Sequence, residues 1–205
     1  MAKGLFFAYH EIFRTSYLLF AAMLIVSVLA LVKKKLIANL ALHPYSIVNE
    51  KEYYRLLTSD LVHNDLLHLF INSYMYLVFC VALENQLIAQ GIIGEIKFLA
   101  IYGSSLLAGG LFITVRHYRD LSYSNVGASG TIMGCMFSCM ILNPKMTLLF
   151  IPGIGGINNM YSVLIYMVFL AMYSKRTGAV NQELHFAGAV GGILATLLLR
   201  SNFFK

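Results

Sequence analysis

Ser129 lies in "SNVGASGTIMG", between glycines at the entrance of an apolar stretch, and His185 opens "HFAGAVGG" 56 residues later. A hydroxyl beside an imidazole is the pair from which a nucleophile is made, because the ring can take the proton the oxygen must lose. A third polar cluster, His63, His68 and Asn72 in "HNDLLHLFIN", begins another apolar run. Polar and ionisable side chains are costly in a membrane span, so these three clusters are the places to look for chemistry. His68 and Asn72 are four residues apart and share a helical face, whereas His63 falls about 140° around the axis from His68.

These spacings admit several chemistries. An acyl-transfer site needs hydrogen-bond donors for the oxyanion. The first amides of a helix beginning at Ser129, with His68 and Asn72, can supply them. No acid is spaced to orient His185, and Glu183 lies on another face, so the reading is a Ser129–His185 dyad. The pattern is not the soluble G-x-S-x-G elbow, because Thr131 stands where the last glycine belongs. A metal reading would take His63, Asp65 and His68, but their spacing fits no common zinc pattern. For His63 a structural role, bridging the preceding loop, is expected instead. No cofactor and no metal are expected.

The chain around these residues is 59% hydrophobic and 12% charged, about half the charged share of a soluble domain. A hydrocarbon core about 30 Å thick needs roughly 20 apolar residues of helix. Spans are therefore expected at about 16–32, 62–86, 98–115, 127–142, 158–174 and 183–200. The fold class is an all-α polytopic membrane protein, one compact domain over 1–205 with six transmembrane helices and a structured first loop. The segment "KMTLLFIPGIGGINN", broken by Pro152 and glycines, is expected as an interfacial piece. In an alternating bundle the second, fourth and sixth helices start on one side, which places Ser129, His185 and His68 at one depth. Gly130, Gly134 and Ser138 form one small face, and Gly188 and Gly192 another. Such faces let membrane helices approach closely.

The net charge of +6 is scattered over short loops apart from Lys33–Lys35, so nucleic acid is not an expected partner. Cys80, Cys135 and Cys139 sit in apolar runs and read as core residues. No cleavable signal peptide is expected at the N-terminus. Loop lysines and arginines, counted alone, lean toward an outside N-terminus.

With "GASG" around Ser129, "HNDLLHLFIN" and "HFAGAVGG" in this order, and "YYRLLTSDLVH" and Glu84 as further features, the chain resembles the rhomboid intramembrane serine proteases in their minimal six-helix bacterial-type form. The resemblance implies Ser129 as nucleophile and His185 as general base. It implies an oxyanion hole of His68, Asn72 and the Ser129 amide, with His63, Gly127, Gly130, Met133, Gly188 and Gly192 in support. It further implies substrates that are transmembrane segments of other proteins in the lipid bilayer, cut near a small residue. The implied location is the bacterial inner membrane with a cytoplasmic N-terminus, against the loop count. The chain departs from the family in lacking tryptophan, with Arg55 left to fill an arginine place in the first loop. It also carries Met133 where many relatives have an aromatic against the catalytic histidine. A silent rhomboid-like protein that binds transmembrane helices is the alternative, and such a protein is expected to lack Ser129 or His185. A small transporter is expected to show charged pairs and broken helices at mid-depth, which are scarce here.

Overall fold

The computed structural model describes residues 14–151, 153–177 and 181–200. Pro152, and the Lys3 and Lys205 of the loop-charge count, lie outside them. Helix α1 spans Thr15–Val32 and has no side-chain cap of its own. Its first amides instead reach across the bundle. The Thr15 and Ser16 N–H groups donate to the Glu84 carboxylate at 3.0 and 3.1 Å, and the Ser16 hydroxyl joins them. The orphan donors of a helix start are thereby satisfied by a buried acid, and the Tyr76 hydroxyl donates to the Ser16 carbonyl.

The first loop is folded. It contains α2 (Lys35–Leu40), α3 (Pro44–Asn49), α4 (Arg55–Thr58) and a 3-10 turn at Ser59–Leu61. Pro44 opens α3, where its fixed φ suits the first helical turn, and His43 caps it through the Ser46 amide. Arg55 is buried and staples the loop, its Nη1 donating to the carbonyls of Ala38 at 2.8 Å and Ala41 at 3.0 Å. Its Nε pairs with Glu52, which holds that carboxyl below its usual range. Leu42 and Asn125 exchange two backbone hydrogen bonds, fastening the loop to the segment just before Ser129.

Helix α5 (Leu66–Leu87) is capped by Asp65, which accepts from the His68 amide at 2.8 Å. A 3-10 turn at Ile88–Gln90 leads into α6, Ile92–His117. This helix starts six residues before the expected 98, because Glu95 and Lys97 do not break it: Lys97 reaches out to Gln90 at the exposed end. Helix α7 is short, Ser129–Leu142. It begins two residues later than expected, since Gly127 has φ +106°, outside helical space. The "KMTLLFIPGIGGINN" segment forms an antiparallel hairpin of β1 (Thr147–Ile151) and β2 (Gly155–Asn158). Helices α8 (Asn159–Thr177) and α9 (Gln182–Arg200) complete the order. Among the described residues, four helices, α1, α5 with its 3-10 extension, α6 and α9, are long and apolar enough to cross a membrane; α7 and the Asn159–Phe169 part of α8 are shorter apolar helices. The architecture is an all-α bundle carrying one small hairpin.

Helix α7 sits at the centre, against α5, α6, α8 and α9. Tyr76, Phe79, Phe98, Ile132 and Met136 fill the core between them. Helix α9 nests between α6 and α7 at backbone distance. A Cβ on Gly188 would lie 2.4 Å from the Gly130 oxygen, and one on Gly192 2.5 Å from the Gly134 oxygen. The opposite edge of α9 is equally tight, because a Cβ on Gly191 would lie 2.5 Å from the Ser104 oxygen of α6. Further along, Thr196 donates to Ser138, lacing α9 to α7.

Candidate active site

The starts of α5, α7 and α9 meet at one end of the bundle, and an open-mouthed cavity lies between them. His68, Asn72, Ser129 and His185 all line it. The His185 Nε2 stands 2.6 Å from the Ser129 Oγ. That distance depends on the glycine faces, since any side chain at Gly188 would hold α9 away from α7 one turn past His185.

Ser129 is the first residue of its helix, and Ala128 before it offers no capping side chain. The first backbone bond of the helix runs from the Ile132 amide to the Ala128 carbonyl at 2.9 Å. The amides of Ser129, Gly130 and Thr131 precede it and have no partner within the helix. Gly127 makes this entrance fit. Its positive φ suits glycine, and a Cβ there would fall 2.8 Å from the His68 Cε1 and Nε2. Its own amide donates to the Ser59 carbonyl.

Asn72 is buried and donates to the His68 carbonyl at 3.1 Å, which leaves one of its two amide protons uncommitted; its Oδ1 has no partner among the described residues. His68 carries the His63 ring edge-on at 4.9 Å between centroids. His63 itself is fully buried behind the cavity, its Nδ1 2.8 Å from the Ser27 hydroxyl, which donates to the Leu61 carbonyl. With that one hydroxyl proton committed, His63 Nδ1–H donates to Ser27. His63 thus ties the end of the loop to Ser27 of α1, whose hydroxyl also reaches the loop's Leu61 carbonyl. Asp65, the third member of the rejected metal reading, is turned to cap α5, and no group of three metal-binding side chains occurs among the described residues.

His185 is buried, and its Nδ1 has no partner among the described residues. Glu183 is engaged elsewhere, 2.7 Å from the Arg116 Nε and 3.7 Å from the His117 Nε2. Met133 is buried in the core and does not line the cavity. The aromatics that do are Tyr166 and Phe169 of α8, with Asn125 and Asn181 at the cavity's polar edge. Tyr166 and Phe169 are three apart on an apolar helix, a spacing that lipid-facing residues share, so nothing in the sequence singles them out. Asn181 carried a readable signal, an asparagine immediately before a helix start. Behind the Gly127 turn, Asp60 is buried with its Oδ2 unpartnered among the described residues. Burial pushes its carboxyl up to about 7, against the opposing pull of Thr131 and Tyr102.

A comparison with protein-family models matches residues 50–202 to the Rhomboid domain. Among curated proteins, the chain is 30% identical over 149 residues to a Bacillus subtilis protein named "Putative rhomboid protease YdcA", covering 72% of this chain and 67% of that one. It is 24% identical over 154 residues to "Rhomboid protease GluP" of the same organism, covering 75% of this chain but only 27% of the relative.

Proposed function

This chain belongs to the rhomboid family, and on that premise we propose that it is a serine endopeptidase that cleaves transmembrane segments through a Ser129–His185 dyad. The observation that carries the reading is the 2.6 Å contact between His185 Nε2 and Ser129 Oγ inside a cavity lined by hydrogen-bond donors. As the Ser129 oxygen attacks the scissile carbonyl carbon, its proton passes to His185 Nε2. The carbonyl oxygen, now an oxyanion, is held by the Ser129 amide, the uncommitted Asn72 N–H and His68. One well-placed donor of this kind is worth about 3–4 kcal/mol in the transition state. His185 then gives the proton to the leaving amine and an acyl-Ser129 ester remains. Water, giving its proton to the same nitrogen, attacks the ester carbon; the acyl–Oγ bond then breaks, His185 Nε2 returns that proton to the Ser129 oxygen, and the new carboxyl end is released. Among the described residues the imidazolium has no carboxylate at Nδ1, so none of them orients the proton it takes.

The chain is an integral membrane protein, and the substrate is a helix of another membrane protein that enters the cavity from the bilayer and unwinds near a small residue. We place the N-terminus in the cytoplasm of a bacterial cell and the cavity on the outer side. The loop charges oppose this less than their number suggests, because Arg55 is buried as a loop staple and Arg116 is paired with Glu183. Labelling with a fluorophosphonate probe in detergent tests the mechanism. Wild type should label; Ser129→Ala and His185→Ala should not. Unchanged labelling of Ser129→Ala sinks the assignment, and a wild type that binds transmembrane helices without labelling would return the chain to the silent, helix-binding alternative.

A further inference from the structure

The helix that carries His185 is gripped at its first turn, beside the cavity's edge, by residues the catalytic steps do not use. Asn181 stands just before α9, and its Oδ1 accepts from the Leu184 amide at 3.2 Å while its carbonyl accepts from the His185 amide at 3.2 Å. Its side-chain amide in turn donates to the Tyr123 hydroxyl, which belongs to the loop leading to Ser129. The Tyr123 ring is stacked on His117 at the end of α6, 4.0 Å between centroids and 17° between planes. Glu183, in the first turn of α9, closes the circuit by pairing with Arg116 and approaching His117. Three segments are joined here: the end of α6, the loop before the nucleophile, and the first turn of α9.

We infer that Asn181 and Tyr123 are positioning residues for His185, a clasp that sets the depth and rotation of α9 against α7 at the level of the Ser129–His185 contact. The geometric path is short. Leu184, whose amide Asn181 caps, rests on Gly130, where a Cβ would lie 2.2 Å from the Leu184 Cδ2. Tyr123 packs against the same Leu184 cluster. Asn181 therefore holds the residue before His185 while that residue's side chain bears on the residue after Ser129. Among the described residues no partner at His185 Nδ1 orients the ring from behind, so the backbone that carries it must be held in place. The clasp is the polar device among the described residues that does so on the loop side. Glu183, rejected as a member of a triad, acts at one remove by tying the same turn to α6.

The inference rests on the dyad reading, and its test is arranged to separate the two. The full chain in proteoliposomes is assayed for the rate of fluorophosphonate labelling and for kcat and KM on a transmembrane substrate, with the thermal midpoint read alongside. Asn181→Ala removes both the cap and the bond to Tyr123. It should slow labelling and lower kcat by on the order of tenfold to a hundredfold, the scale of an ångström-sized misplacement, with KM within about twofold. Asn181→Asp keeps an acceptor for the Leu184 amide and for a Tyr123 hydroxyl turned donor, and should recover most of the rate. Tyr123→Phe keeps the stack on His117 and loses only the hydroxyl, so it should fall between them, and it serves if Asn181→Ala does not fold. Wild-type rates in Tyr123→Phe, or equal losses in Asn181→Ala and Asn181→Asp, overturn the clasp while the wild type still reacts. A wild type that labels no better than Ser129→Ala overturns the dyad, and the clasp with it.

Discussion

Replacing Gly188 with alanine tests whether backbone contact between α7 and α9 sets the reactive distance. The new Cβ would fall 2.4 Å from the Gly130 oxygen and 2.8 Å from its carbon. Both atoms are backbone and no rotamer can move them aside. Side-chain carbons essentially never approach closer than 3.0 Å, so the helices must part by at least about 0.6 Å. Gly130 follows Ser129 and Gly188 lies one turn from His185, so the separation is felt at the pair itself. Their 2.6 Å contact would open to about 3.2 Å or more, the edge of a useful hydrogen bond. A displacement of this order costs roughly tenfold to a hundredfold in rate, equivalent to about 1.4–2.8 kcal/mol of activation free energy. Overpacking should cost a further ~1–3 kcal/mol of stability. Gly191→Ala is the matched comparison. It overpacks α9 against Ser104 and Ala108 of α6, so it should lower the thermal midpoint similarly while sparing the rate. Gly103→Ala, with nothing within 4 Å of its Cβ, should change neither. Single-turnover cleavage of a transmembrane substrate in proteoliposomes, with thermal midpoints, gives all three comparisons. If folded Gly188→Ala cleaves within about twofold of wild type, the close approach is packing alone and the geometric reasoning fails.

Two further outcomes concern stability. Glu84→Ala removes the acceptor for the Thr15 and Ser16 amides and the Ser16 hydroxyl. Stranding buried donors costs about 1–3 kcal/mol, so the thermal midpoint should drop by several degrees, and an unchanged midpoint would show that the α1 entrance is satisfied otherwise. Asp60, pushed up to about 7 by burial, keeps in the folded chain a proton that the unfolded chain releases near pH 4. The sign follows: its contribution is fully present below about pH 4 and is lost as pH rises through about 7. Asp60→Asn cannot ionise, so its thermal midpoints at about pH 5 and about pH 8 should lie closer together than those of wild type, and an equal gap in both would refute the shift.

How far this site could be read in advance depends on how local its causes are. Glycines every four residues in α7 and α9 imply faces that can meet, and the measured approaches of Gly188 to Gly130 and Gly192 to Gly134 lie on those faces. The same logic missed half of the α9 groove, because Ser104 and Ala108 of α6 belong to a helix with no chemistry to draw attention. Gly127 looked like the first residue of a helix, and only its φ shows it as the turn that admits the His68 ring. Glu84 serves amides 68 and 69 residues away, and Tyr123 meets Asn181 across 58. No periodicity carries such pairings. The hairpin at 147–158 was hidden for a different reason, since a short apolar run broken by glycine suits a strand and an interfacial coil alike.

The shortness of α7 is also a ruler. Its 14 residues rise about 21 Å, well short of a hydrocarbon layer of about 30 Å. Beyond its C-terminal end stand exposed Asn143, Pro144 and Lys145, residues that belong at a headgroup boundary. With α7 upright and that end at the boundary, Ser129 would stop about 9 Å below the opposite surface. On the proposed function, a bond in a substrate helix would meet the serine only if it sat about six residues inside its own membrane span, at 1.5 Å per residue, or were drawn up or down to that level. Selection can then act on position before any side chain is read, and moving one susceptible sequence along a host helix, a residue at a time, should trace the depth of the serine as a peak of cleavage.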